Sequence, residues 1–222
     1  QFLLQTEGRK ENKRSKMISD VSIYAEKDKS LKSQIFYNFD KKFNYLNFKD
    51  SDLSLKIQQT TNDTYIKGNK ITSPIISNND LMENSLALKL QSDNLLIESD
   101  ITMYENLNIK SSDRYEYIFP KIDITKQIKN KTKLDGNFVF ESSNYIHNYQ
   151  TNILKKKNTN DLTFASFPKI NNFGFYNNYE FFIKNSNSDI NNLSGLKDGA
   201  DYYLSGLFQF NSSLPLLKNN QN

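Results

Sequence analysis

Apolar side chains in this sequence recur at every second position over long stretches, and that spacing admits few folds. In LKSQIFYNFDKKFNY (31–45), Ile35, Tyr37, Phe39, Phe43 and Tyr45 share one parity. Gln34, Asn38, Asp40 and Lys42 share the other, and Phe36 is the one aromatic out of step. A period of two places successive side chains on opposite faces of a strand, whereas a helix would scatter these rings around its axis. The pattern returns repeatedly. Leu53, Leu55 and Ile57 oppose Ser54, Lys56 and Gln58, and Leu86, Leu88 and Leu90 oppose Ser85, Ala87 and Lys89. Further alternating runs lie at 2–10, 17–25, 95–104, 114–126, 137–149, 162–167, 173–184 and 202–210. The prediction is an all-β chain of roughly ten to twelve antiparallel strands, each with one apolar and one polar face.

Composition supports strands that bury only one side. Hydrophobic residues make up 36% of the 222 residues, a low share for a globular core, while Phe and Tyr supply 13%. So many aromatics exclude a disordered chain. The net charge of +4 is too mixed to imply a nucleic-acid partner. The densest basic run, Arg9, Lys10, Lys13, Arg14 and Lys16, reads first as a solvated hairpin tip and second as a contact for anionic lipid. There is no cysteine, hence no disulfide framework, and no apolar run reaches the length of a spanning helix. The opening at Gln1 and the closing KNNQN read as cut ends of something longer.

Predicted connections alternate in length from residue 60 onward. Long ones fall at 60–80, 105–113, 150–160 and 185–199, and shorter ones at 92–94, 128–135 and 168–172. Strands of about 9 to 11 residues joined in this way are the habit of an up-and-down transmembrane barrel. In such a barrel Gln34, Asn38, Lys42, Ser54, Lys56, Gln58 and Lys89 would face the lumen. Pro168 is expected at a turn, and Pro120 at a strand end, a bulge or an edge, because each lacks a ladder donor.

Catalytic chemistry is not visible. His147 lies on the polar parity without companions for a metal site, and Asp50 and Asp52 are expected at a turn. No nucleophile elbow, phosphate loop or HExxH motif is present, so the chain reads as a non-enzyme without cofactor or metal.

Several segments, in order, resemble the barrel domain of the outer-membrane lipopolysaccharide-assembly protein LptD. They are LLQTEGR (3–9), QQTTNDTYIK (58–67), RYEYIFPKIDI (114–124) and SLPL (213–216). The family-like positions are Asp63, Thr64, Tyr65, Arg114, Tyr115, Tyr117 and Pro120. The resemblance implies one partial barrel domain over 1–222, integral to the outer membrane, that helps insert lipopolysaccharide into the outer leaflet. It also implies outer-membrane lipid, an LptE-like lipoprotein plug and an LptA-like periplasmic bridge as partners. The family's jelly-roll domain falls outside this chain, and no residue takes a gating role. Two alternatives stay open: another outer-membrane barrel such as a porin-like channel, and a soluble β-sandwich or β-solenoid binding module.

Overall fold

The computed structural model describes residues 1–27, 29–130, 135–195 and 198–214. Most of them lie in one antiparallel sheet. Its strands are β1 (Phe2–Asn12), β2 (Ser15–Ala25), β3 (Lys32–Tyr45), β4 (Phe48–Thr60), β5 (Leu81–Gln91), β6 (Leu95–Asn106), β7 (Tyr115–Ile128), β8 (Gly136–Tyr149), β9 (Ile153–Ser166), β10 (Lys169–Ile170), β11 (Tyr176–Asn191) and β12 (Gly199–Ser213). Each long strand pairs with its predecessor in an up-and-down order, and the two-residue β10 extends the β9 side of β11. The sheet is not closed: β1 and β12 pair on one side only. The only α-helical segment described is the single turn α1 (Tyr65–Gly68), and no described helix is long and apolar enough to cross a membrane.

The alternation seen in the sequence becomes two faces of one sheet. One cross-strand row runs Asp40–Ser54–Ala87–Asp100–Lys121–Tyr145–Lys157–Ser188–Asp201, from β3 to β12. On the opposite face Phe39–Leu55–Leu86–Ile101 form one row and Leu90–Ile97–Ile124 another. Cross-strand neighbours of like character stabilise the register, since a slip of one residue would exchange the faces. Among the described residues no second sheet covers the apolar side: Ile35 is 50% exposed and Leu86 44%. The predicted row Ile35–Tyr37–Phe39 thus lies on an open face, and strands of 11 to 16 residues are far longer than those of a sandwich.

Three expectations are corrected. Residues 150–160 are not a loop: only 150–152 connect β8 to β9, and KKKNTND is strand. Likewise 185–191 continue β11, which shortens the expected 185–199 loop to 192–198. Asn and Lys are poor strand formers alone, but here they are held by partners of their own kind across the ladder. Asn144 lies opposite Asn158, which lies opposite Asn187, and Lys156 pairs with Asp189 at 3.6 Å. The third correction concerns Asp50 and Asp52, which stand inside β4, Asp52 facing Lys42 on one side and Lys89 on the other. The turn comes earlier, at 46–47, with Leu46 at φ 50°.

Pro168 lies between strands, as expected. Pro120 sits at a register shift on both sides of β7, a bulge, and its peptide bond to Phe119 is cis. Of the SLPL segment, Pro215 and Leu216 lie outside the described residues, as do 131–134 of the expected 128–135 turn.

Candidate functional site

All strand ends carrying 26–31, 61–80, 107–114, 150–152 and 192–198 lie on the same edge of the up-and-down sheet. The longest of these connections, 61–80, folds back over the polar face of β1 to β4. Its turn α1 brings Tyr65 and Ile66 against Phe36, Met82 and Leu107, and Ile71 and Ile75 complete the cluster. Phe36 is 0% exposed. The aromatic that breaks the alternation in 31–45 is therefore the floor on which this segment rests.

Polar groups fix the segment in place. The hydroxyls of Ser22 and Tyr65 lie 2.8 Å apart. Gln5 Nε2 donates to the Thr72 carbonyl at 3.0 Å, and to both oxygens of buried Asp20 at 3.0 and 3.1 Å. Gln58 Nε2 donates to the Ile75 carbonyl at 3.4 Å, while its Oε1 accepts from the Glu83 amide at 2.9 Å. The β4–β5 ladder stops at Lys56 and Ser85, and beyond it Asn84 exchanges side-chain hydrogen bonds with both backbone groups of Gln58 at 3.1 Å. Side-chain amides thus replace a ladder that 61–80 interrupts.

Ion pairs clamp its two ends. Arg114, at the end of the 3-10 turn Ser112–Arg114, reaches Asp63 and Glu105 at 2.7 Å each. Tyr115 donates its hydroxyl to the same Glu105 at 3.2 Å, and the Arg114 guanidinium lies 5.6 Å from the Tyr115 ring centre. The Asp63 contact, with Glu105 adding to it, raises the Arg114 pKa above its ordinary value, so the charge is permanent. Lys67 forms an ion pair with Asp80. Its hydrogen bond holds the Asp80 carboxyl below the usual range, and Asn108 adds to the effect. Thr64, just before α1, donates its hydroxyl to Asn62 Oδ1 at 2.8 Å.

The positions singled out in the sequence separate into groups. Gln34, Asn38, Lys42, Ser54, Lys56, Gln58 and Lys89 all lie on the polar face. Gln34 and Gln58 are buried, in the region that 61–80 covers. Lys56 pairs with Glu83 at 2.8 Å and Lys89 with Glu98 at 3.1 Å. Ser54 donates to Asp40 at 2.7 Å. Lys89 and Ser54 border a cleft of about 280 Å³ with Asp52, Glu98, Asp100 and Lys121. Farther along this face Lys121 meets Asp123 at 3.1 Å and Lys184 meets Asp161 at 3.3 Å. His147 Nε2 lies 2.7 Å from Glu116. Opposite charges alternate along this face, giving a hydrated mosaic and not a single-sign field.

Of the remaining positions, Asp63 and Arg114 are brought together across 51 residues of chain. Tyr115, Tyr117 and Phe119 form a ladder of rings on the apolar face, with centroids 6.2 and 5.8 Å apart. Lys42 lies at the opposite edge, where its amide donates to the Arg14 carbonyl at 2.7 Å. There the basic run of the first hairpin is joined by Lys41 and Lys42 around a cleft of about 410 Å³ that also contains Asp40 and Asp52. Sequence reasoning missed this joining, because the 46–47 turn and the β2–β3 register create it. No group of three or more His, Cys, Asp or Glu placed to hold a metal ion occurs among the described residues. No protein-family profile and no curated protein matches this chain.

Proposed function

We propose that this chain is a section of the wall of an outer-membrane β-barrel of the LptD kind. In this reading it takes part in delivering lipopolysaccharide to the outer leaflet. One observation carries the membrane part: polar and apolar rows stay on their own faces from β3 to β7, and the apolar face carries exposed side chains such as Ile35, Leu86 and Ile101. An exposed apolar surface of this extent calls for lipid or a partner. Antiparallel strands longer than 10 residues supply the length a tilted spanning strand needs. The transport part rests on the ordered motif resemblance. The ion-paired mosaic on the opposite face suits the charged sugar head of a lipopolysaccharide, and the bare face suits the surrounding acyl chains. An LptE-like plug and an LptA-like bridge are the partners this reading calls for.

The test is a single-cysteine series along β3 and β4 of the protein in lipid vesicles. Positions 37, 39, 55 and 57 should be quenched by a lipid-soluble spin label, and 38, 40, 54 and 56 should react with a water-soluble maleimide. Equal labelling of both parities would refute the membrane reading. A photo-reactive group at Lys56 or Lys89 should cross-link lipopolysaccharide during transport, and its failure to do so would leave a porin-like channel as the better account.

A further inference from the structure

On the apolar face of β8, β9 and β11 the greasy rows stop abruptly. Phe138, Phe164, Phe181 and Phe208 form one cross-strand row, and Phe140, Leu162 and Ile183 the next. Toward the edge that carries 61–80, the following two rows on the same face are Ser142–Asn160–Asn185 and Asn144–Asn158–Asn187. These six side chains are one hydrogen-bonded net. Ser142 donates to Asn160 at 2.8 Å and accepts from Asn144 at 3.0 Å. Asn158 donates to Asn144, Asn160 donates to Asn158 at 2.6 Å, and Asn187 donates to Asn158 at 3.3 Å and to Asn185 at 2.9 Å.

Asparagine is disfavoured in strands, and although these five hold one another across the ladder, apolar side chains would serve better on a face turned to hydrocarbon. The asparagines are poor neighbours for hydrocarbon, where each amide lacking a full set of partners is costly. Beside the net is a cleft of about 360 Å³. Its walls include Asn144, Asn158, Asn187, Lys156, Asp189 and Tyr202. Tyr202 lies opposite Asn187 and is 76% exposed.

We propose that this amide shelf binds the sugar head groups of membrane glycolipids that surround the protein, from outside the wall. The proposal rests on the membrane reading above and concerns lipid at rest around the barrel, not lipid in transit through it. Three chemical features support a sugar. Each amide offers two donors and two lone pairs, more than the net consumes, and these match vicinal hydroxyls that both donate and accept. The bare Tyr202 ring supplies a flat apolar face for the C–H side of a pyranose. The aromatic rows directly below place acyl chains beside Phe140 and Leu162, so head and tails would meet surfaces of their own character on the same strands.

The experiment uses the full chain in nanodiscs and the core oligosaccharide released from rough lipopolysaccharide as a soluble probe. Saturation-transfer NMR should show contact with the wild type. It should be reduced at least tenfold in Tyr202→Ala, whose exposed ring makes few packing contacts, and in Asn158→Leu/Asn187→Leu. Undiminished contact in Tyr202→Ala and the double variant would overturn the proposal, as would no contact with wild type. Spin-label quenching at Phe140→Cys and Leu162→Cys separates the two ideas. Quenching without sugar contact defeats the shelf alone, and no quenching defeats the membrane reading beneath it.

Discussion

Replacing Phe36 with alanine should release residues 61–80 while leaving the sheet intact. The ring is fully buried beneath Tyr65 and Ile66, and its strand neighbours Asp20 and Gln58 are held by backbone ladders on both sides of β3. Truncating a buried Phe to Ala costs about 3–5 kcal/mol, the lost transfer energy plus the cavity left behind. That loss falls on the docked state of the segment, because β3 keeps its backbone partners in either state. At about 1.4 kcal/mol per decade the undocked population should rise by roughly two to three and a half orders of magnitude, up to full undocking. Trypsin reads this directly, since Lys67 and Lys70 lie in the segment and cleavage tracks the open population when opening is fast. Ile35→Ala is the control: its side chain is half exposed on the other face. Cleavage of Phe36→Ala within threefold of wild type, or an equal increase in Ile35→Ala, would refute this account of the misplaced aromatic.

Gly136→Ala should destabilise by about 1–3 kcal/mol in urea titration, because its new Cβ would lie 2.5 Å from the Ala165 carbonyl and 2.6 Å from the Phe164 ring. Arg114→Ala should cost about 1–3 kcal/mol, since it strips both Asp63 and Glu105 of their shared cation; Arg114→Lys should restore part of this, because both contacts come from one guanidinium nitrogen and a single ammonium can face two carboxylates, and no recovery in the lysine variant would contradict this. Leu46→Asn should stabilise by up to about 1 kcal/mol in the same titration, by relieving a branched side chain at positive φ in the 46–47 turn. Acid should loosen the 61–80 segment. The Asp80 carboxyl has its pKa lowered in the fold, so the stabilisation is present at neutral pH and is lost as the pH falls through the folded value. Tryptic cleavage after brief acid exposure should rise in wild type and change less in Asp80→Asn.

Strand identity and facing were legible because apolar residues at every second position leave a sheet as the economical solution. The polar halves of β9 and β11 were not legible. KKKNTND carries no apolar residue to set a period, and its strand character comes from amides and charges on neighbouring strands that are remote in sequence. Phe36 was visible as an irregularity and Tyr65 as a family-like position, but their meeting depends on how 61–80 folds back, which no local pattern encodes. The Asp63–Arg114 pair has the same origin: both positions stood out, and only the fold joins them. The lateral joining of Asn144, Asn158 and Asn187 likewise follows from register and not from any one segment.

The outermost strands carry a last consequence. β1 and β12 each leave a long flank of amides and carbonyls with no neighbour in the described chain, and their side chains include Phe2, Leu4, Leu204 and Phe208. Without water to solvate them, such groups cost several kcal/mol apiece, and in water they are templates for any strand of matching length. Residues 1–222 prepared alone should therefore not stay single. They should stitch flank to flank into growing assemblies, and a short peptide copying one flank should halt that growth.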